Sequence, residues 1–290
     1  MDDIRSLGII LHPERDSADA VDSILRWAEE RDVEVLGLVE EIARLHCAAV
    51  PVTVEALGNR ADLLVALGGD GTVLRAMRLA DHHRAPVLGV NLGRLGFLAE
   101  VDIEDVPRAL TAIGEGSYQI EGRSALDALI GTQEFTAFND IVLVRVPGQG
   151  GADLNLAVQG HHFVSYSADA IILATPTGST AYNFSAGGPI IDPSIEGILV
   201  TPSSPHSVFN RSLMVEHTRS LSLTLLPSSG RLAVEVDGQV ATYLTPGDRV
   251  VATSRSNAAH VVRLGGTTFY QRTQRKLGIA DATELSGCIG

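Results

Sequence analysis

Ten residues, Leu63-Leu-Val-Ala-Leu-Gly-Gly-Asp-Gly-Thr72, constrain this chain more than any other stretch. Leu63 to Leu67 are consecutive apolar residues, too few for a helix and typical of a strand buried on both faces. Beyond Thr72, Val73, Ala76, Met77 and Ala80 recur at helical spacing, so a helix begins directly after the turn. The turn is mostly glycine around one acid. Glycine lets backbone approach a ligand closely, and a helix start offers N–H groups to a phosphate. A plainer reading makes Asp70 or Thr72 a helix N-cap after a tight turn. A cap does not require three glycines around the acid, so the phosphate-facing reading is preferred.

The surrounding segments predict the frame for this turn. Ser6 to Leu11 and Val33 to Val39 read as strands, and Pro86 to Val90 as another that ends in Asn91-Leu-Gly-Arg-Leu-Gly-Phe97. A helix capped by Asp16 or Ser17 carries the stripe Val21, Ile24, Leu25 and Ala28, and a further helix covers Asp105 to Ile113. Strands alternating with helices imply a parallel sheet with ligands outside the C-terminal strand ends, where both glycine-rich turns lie. No Gly-x-Gly-x-x-Gly is present, so this α/β N-terminal domain is Rossmann-like without the dinucleotide fingerprint.

From about residue 117 the character changes. Phe135–Val146, Leu154–Gln159, Phe163–Tyr166, Ala170–Ala174, Leu213–Glu216, Leu221–Leu226, Leu232–Val236 and Val250–Thr253 are short β-prone runs with Gly/Pro/Ser/Asn punctuation. That pattern predicts a β-sandwich-like C-terminal domain. The expected division is 1–116 plus 267–290 for the α/β domain and 117–266 for the all-β domain. Thr267 to Leu277 again looks helical; its basic residues Arg272, Arg275 and Lys276, together with Arg263, read as a solvated face, with attraction of polyphosphate as the less favoured alternative.

Charge narrows the function classes. The formal net charge is −13, with 22 acids against 12 Lys/Arg up to residue 123 and 13 against 10 after it. Such a surface repels nucleic acid and anionic membrane, so neither is an expected partner. Cys47 and Cys288 fit neither a disulfide framework nor a metal site, and a reducing cytoplasm is the simplest compartment. Lys276 is the only lysine. The Walker loop and the protein-kinase fold both place a lysine on nucleotide phosphates, so neither is expected. With no lysine in the motifs to neutralise donor phosphates, a strong divalent-cation requirement follows.

A second unusual stretch is Thr175-Pro-Thr-Gly-Ser-Thr-Ala-Tyr-Asn-Phe-Ser-Ala-Gly-Gly-Pro-Ile190, after the apolar run Ala170–Ala174. So many hydroxyls and glycines at a strand end suit a loop of ST-turns, or a wall of donors around something polar. Beside the first motif the wall is preferred. Ser179 lacks the Gly-x-Ser-x-Gly elbow of a hydrolase, and the pairs His82-His83 and His161-His162 point apart, as poor joint metal ligands do.

Gly68-Gly-Asp-Gly-Thr72, Asn139-Asp140, Thr175 to Tyr182 and Ser185-Ala-Gly-Gly-Pro189 together resemble the motif set of the NAD kinases. The similarity runs from the first strand to about residue 265. It implies an α/β domain packed on a β-domain with the dinucleotide between them. It also implies phosphorylation of the 2′-hydroxyl of the adenosine ribose of NAD by ATP or inorganic polyphosphate, with Mg²⁺ or Mn²⁺, commonly in dimers or tetramers. By resemblance Asp70 is the catalytic carboxylate that engages the 2′-hydroxyl, while Gly69, Gly71 and Thr72 contact phosphate. Phe97 lies beside the adenine, Asn139 and Asp140 hold the adenosine ribose, and Asp169 binds the nicotinamide end. Thr180, Ala181 and Tyr182 form the adenine and ribose wall, and Asp237 is a further acid near the reacting hydroxyls. Two departures stand out: Asp140 replaces the usual glutamate, and Ala168 and Ala170 flank Asp169 where glycines are common.

Diacylglycerol and sphingosine kinases and phosphofructokinases carry relatives of the GGDG element, which makes a lipid kinase the runner-up. That enzyme should lack the second motif. A non-catalytic dinucleotide-binding protein is the reading from another class, and the presence of Asp70 argues against it. Phosphoryl transfer is mainly positioning and charge stabilisation, so Asp70 is expected to orient the hydroxyl and accept its proton late, in preference to the alternative of holding the divalent cation through water.

Overall fold

The computed structural model describes residues 4–83, 85–93 and 96–279. Arg94 and Leu95 of the second glycine turn, and Cys288, lie outside the described residues. The elements begin with β1 (Ser6–Leu11), α1 (Ala18–Glu29), β2 (Glu34–Leu38), α2 (Val39–Leu45), β3 (Val50–Val52) and α3 (Val54–Arg60). Next come β4 (Leu63–Gly68), α4 (Asp70–Ala80), β5 (Val87–Asn91), β6 (Val101–Asp102) and α5 (Val106–Gly114). The chain continues through β7 (Gln119–Ile130), β8 (Gln133–Ala137), β9 (Asp140–Arg145), β10 (Ala152–Val158), β11 (His161–Ala168) and β12 (Ala170–Ala174). After α6 (Tyr182–Ser185) follow β13 (Gly197–Ser203), β14 (Leu213–Glu216), β15 (Leu221–Leu225), β16 (Leu232–Val236), β17 (Gln239–Leu244), β18 (Arg249–Arg263) and α7 (Phe269–Leu277).

Two compact units result. One comprises the described parts of Met1–Glu121 and His260–Gly290, the other Gly122–Ala259. The chain passes between units within β7 and again within β18.

In the first unit a parallel sheet runs in the order β3-β2-β1-β4-β5. Leu7 to Leu11 pair with Leu63 to Leu67, and Leu64 to Gly68 pair in register with Val87 to Asn91. The end of β18 joins β5 through Val261 and Val87. β1 and β4 are buried along their whole length, which is why their sequences are unbroken apolar runs. α1 lays Val21, Ile24, Trp27 and Ala28 into the same core. Strand order reverses between β1 and β4, since β1 leads on to β2 on one side and β4 to β5 on the other. Open α/β sheets bind ligands outside the strand ends at such a switch point. The glycine-rich turn at 68–72 occupies it.

Residues 39–60 hold two helices and a strand that the apolar pattern does not predict. The reason is visible at α2, where Glu41 is buried. Its carboxylate accepts the Leu11 N–H at 2.8 Å and pairs with Arg75 of α4, which also donates to the Leu11 carbonyl. An acid on the inward stripe erases the helical signature.

The second unit contains two antiparallel layers. One holds β11-β10-β15 and the adjoining residues of β18; the other is a six-stranded sheet, β14-β13-β12-β9-β16-β17. Leu154, Leu156 and Leu223 of one layer share a core with Ile141, Leu143, Leu173 and Val234 of the other, the anatomy of a sandwich. Two expectations need correction. The run Phe135–Val146 is two strands, broken at Phe138 and Asn139, and Val250–Thr253 is the start of a fifteen-residue strand. β7, β13 and β17 were not among the expected strands.

Candidate active site

Gly69 is the N-cap of α4 and Asp70 its first residue; no side chain caps the helix. The capping explanation for the acid is therefore wrong. The Asp70 carboxylate instead turns toward the loop after β5. Oδ2 accepts the Phe97 N–H and Oδ1 the Leu98 N–H, each at 3.0 Å. Each oxygen keeps a second lone-pair direction, and the residue stays partly exposed.

The glycines around it divide into two kinds. A Cβ on Gly96 would collide with the Asp70 carboxylate, and one on Gly68 with the Thr72 hydroxyl. These two are required by packing. Gly69 and Gly71 would meet nothing within 4 Å among the described residues, and neither has a positive φ. Packing and conformation leave their identity unexplained, and both lie at the start of α4. Thr72 is buried, with its N–H donating to the Gly69 carbonyl at 2.9 Å, so it shapes the turn. Phe97 is half-buried beside this turn.

In the second unit Asp237 organises the break between β8 and β9. It sits with Gly238 in the two-residue turn joining β16 to β17, both at positive φ as that hairpin turn demands. Its Oδ1 accepts the Asn139 N–H at 2.7 Å and the Asp140 N–H at 3.2 Å, while Oδ2 accepts the Phe138 N–H at 3.1 Å. The N–H groups that a continuous strand would give to a ladder go to this one carboxylate.

Asp140 is 4% exposed. Burial first, then the Asp237 carboxylate and Glu235, raise its carboxyl from 3.8 to about 7, against a lowering by the Tyr182 N–H that it accepts. The shorter side chain at this position is thus tucked beneath the loop that carries Tyr182.

That loop is fixed to the same place. Thr175 donates its hydroxyl to the Phe138 carbonyl at 2.6 Å and its N–H to Asn139, and Gly178 lies so close to the Asn139 carbonyl that a Cβ would collide. The structure therefore brings Asn139, Asp140, Asp237 and Tyr182 together, with Thr180 and Ala181 in the segment leading to Tyr182. Asp169 stands apart from this group, its carboxylate 2.6 Å from Nε of Arg145. Its neighbours Ala168 and Ala170 end β11 and begin β12, extended backbone that needs no glycine.

Sequence reasoning passed over Asn183. It is fully buried, donating to the carbonyls of Ser179 and Pro189, each at 2.9 Å, and accepting the Thr201 hydroxyl at 2.6 Å. Ser179, also fully buried, bonds both the N–H and the carbonyl of Ile191. A Cβ on Gly188 would strike Asn183. Part of the hydroxyl- and glycine-rich stretch thus serves the loop itself.

The basic residues of the C-terminal segment are likewise of two kinds. Arg263 and Arg272, expected on a solvated face, are buried in the first unit, with Nη1 atoms 2.9 and 3.1 Å from the Glu100 carboxylate. Arg275 and Lys276 are exposed. Among the described residues no group of three or more His, Cys, Asp or Glu is arranged to hold a metal ion, and no helix is long and apolar enough to cross a membrane.

An acid and open glycines at the switch point of a parallel sheet define a nucleotide-handling α/β protein. Comparison with known proteins narrows the class. Residues 7–118 match the ATP-NAD kinase N-terminal domain and residues 138–264 the ATP-NAD kinase C-terminal domain. An NAD kinase of Heliobacterium modesticaldum is 37% identical over 278 residues, 94% of this chain and 98% of that protein. NAD kinase 1 of Streptomyces avermitilis is 35% identical, over 96% of this chain and 88% of its own length. Among solved structures, yeast NADH kinase complexed with NADH superposes with a TM-score of 0.85 at 25% identity, covering 97% of this chain and 90% of that one. An NAD kinase from Archaeoglobus fulgidus in complex with ATP shares the fold, with a TM-score of 0.72 at 23% identity over 94% of this chain and 97% of the other. The chain belongs to the NAD kinase family.

Proposed function

We propose that the protein transfers the terminal phosphoryl group of ATP to the 2′-hydroxyl of the adenosine ribose of NAD, giving NADP. The observation that carries this reading is the partly exposed Asp70 carboxylate, oriented by two backbone N–H groups beside glycines whose identity packing leaves unexplained. Asp70 orients the attacking hydroxyl and accepts its proton late, as a loose phosphoryl-transfer transition state allows. Backbone at Gly69, Gly71 and Thr72, at the start of α4, faces the phosphates, and Phe97 packs on the adenine. Asn139 and Asp140 hold the adenosine ribose, with Asp237 fixing the backbone of both. Thr180, Ala181 and Tyr182 line the adenine and ribose, and Asp169 meets the nicotinamide end.

A divalent cation is part of the proposal. Mg²⁺ commonly uses one or two carboxylates with phosphate oxygens and water, and Asp70 is the carboxylate available for it. When bound, the ion neutralises charge on the transferred group. Inorganic polyphosphate is a second donor under the same reading. Homodimeric or homotetrameric assembly and a cytoplasmic setting complete it, the latter supported by the unpaired Cys47.

The test is purified protein with NAD, ATP and Mg²⁺, assayed for NADP, with polyphosphate and chelator arms in parallel. NADP should form with ATP and stop when the cation is chelated. An absence of NADP would overturn the kinase reading, and turnover surviving chelation would overturn the cation requirement.

A further inference from the structure

The C-terminal helix offers one cation that the site described above does not use. α7 is held firmly: Thr268 and Gln271 form a reciprocal capping box at its start, and buried Arg272 pairs with Glu100. That anchoring fixes where the outward residues point. Arg275 lines a cavity of about 480 Å³ together with Asp105, Arg108 and Asn91. Lys276, one position on, turns elsewhere. Its Nζ lies 6.0 Å from the centre of the Phe97 ring, at the outer reach of a cation–π contact. Phe97 in turn gives its backbone N–H to Asp70. Phe97 thus has the single lysine of the chain near its ring and the Asp70 carboxylate on its backbone N–H.

The geometry points to Lys276 as a binding residue for the terminal phosphates of the phosphoryl donor. This rests on the kinase reading and extends it to a residue outside the glycine turn. A polyanionic donor approaching Gly69 and Gly71 meets the Asp70 carboxylate and a unit rich in acids, so a cation within reach lowers the cost of its approach. An ammonium on a flexible four-carbon stem is suited to follow phosphate oxygens, and here it starts from beside the Phe97 ring.

Initial rates of NADP formation, with ATP and NAD varied separately, test it in Lys276→Met, Lys276→Arg and Arg275→Gln, with thermal unfolding as the control for folding. Losing a charge-assisted phosphate contact should raise the KM for ATP roughly tenfold in Lys276→Met. The KM for NAD should stay within about twofold, and Lys276→Arg should recover most of the loss. Arg275→Gln removes the same charge from the neighbouring position and should change the KM for ATP less than about threefold. An unchanged KM for ATP in Lys276→Met, or equal increases in Lys276→Met and Arg275→Gln, would overturn the assignment while leaving the kinase reading intact. A wild-type protein that makes no NADP would instead sink the reading on which it rests.

Discussion

Each unit builds its polar centre by letting a carboxylate collect backbone N–H groups, yet the two centres differ in what they leave available. Asp70 takes two N–H groups, remains partly exposed and stands next to glycines with open space above them. Asp237 takes three N–H groups, and the acid it supports, Asp140, is buried and carries a strongly raised pKa. The first arrangement aims a carboxylate outward. The second uses a carboxylate to hold a strand break and leaves its neighbour partly neutral at pH 7. Similar chemistry thus leaves a partly exposed carboxylate in one unit and a buried framework in the other, a division that substitutions can break.

The largest effect on stability is expected at the framework of the second unit. Asn183→Ala removes the partner of two carbonyls and one hydroxyl in a buried site, and should cost about 3–5 kcal/mol in denaturant unfolding. Asp237→Ala strands three half-buried N–H groups and should cost about 2–3 kcal/mol, with a higher KM for NAD. Retention of wild-type stability by either variant would remove the framework role.

The pH dependence sharpens the contrast further. Asp140 titrates near 7 when folded and near 3.9 when unfolded, so the native state binds more protons between those values. Stability therefore falls as pH rises through that window, by about 4 kcal/mol from this group. Asp140→Asn should flatten the fall; an unaltered pH profile of the unfolding midpoint would contradict the raised pKa.

The smallest stability change belongs to the first unit. Gly69→Ala meets no described neighbour and should alter unfolding by less than about 1 kcal/mol, while raising the KM for ATP several-fold. Unchanged kinetics would mean that the open space is not a phosphate approach.

How much of this was legible in the sequence follows the same division. β1, β4 and the turn into α4 were readable because a fully buried parallel strand is a short apolar run and the turn chemistry is local. Residues 39–60 were not, because Glu41 is buried against Leu11 and Arg75, partners far along the chain. The strand break at Phe138 was hidden for the same reason: Asp237, which makes it, lies about a hundred positions away. In the stretch from Thr175 to Ile190, hydroxyls and glycines signalled a polar centre. Composition could not separate donors serving a ligand from those, such as Ser179 and Asn183, that serve the loop. Arg272 looked solvated because nothing local announces Glu100 as its partner.

Asp70 is proposed to act on a bound molecule as well as to hold the loop after β5 through two N–H groups. Asp70→Asn keeps the shape of the side chain and the acceptor for one of its two N–H partners, so its direct test is NADP production and NAD affinity measured on one preparation of that variant. In Asp70→Asn the rate should fall roughly 10²–10⁴-fold with NAD affinity nearly unchanged. A variant that makes NADP at the wild-type rate, or that loses activity only because it no longer folds, would contradict it.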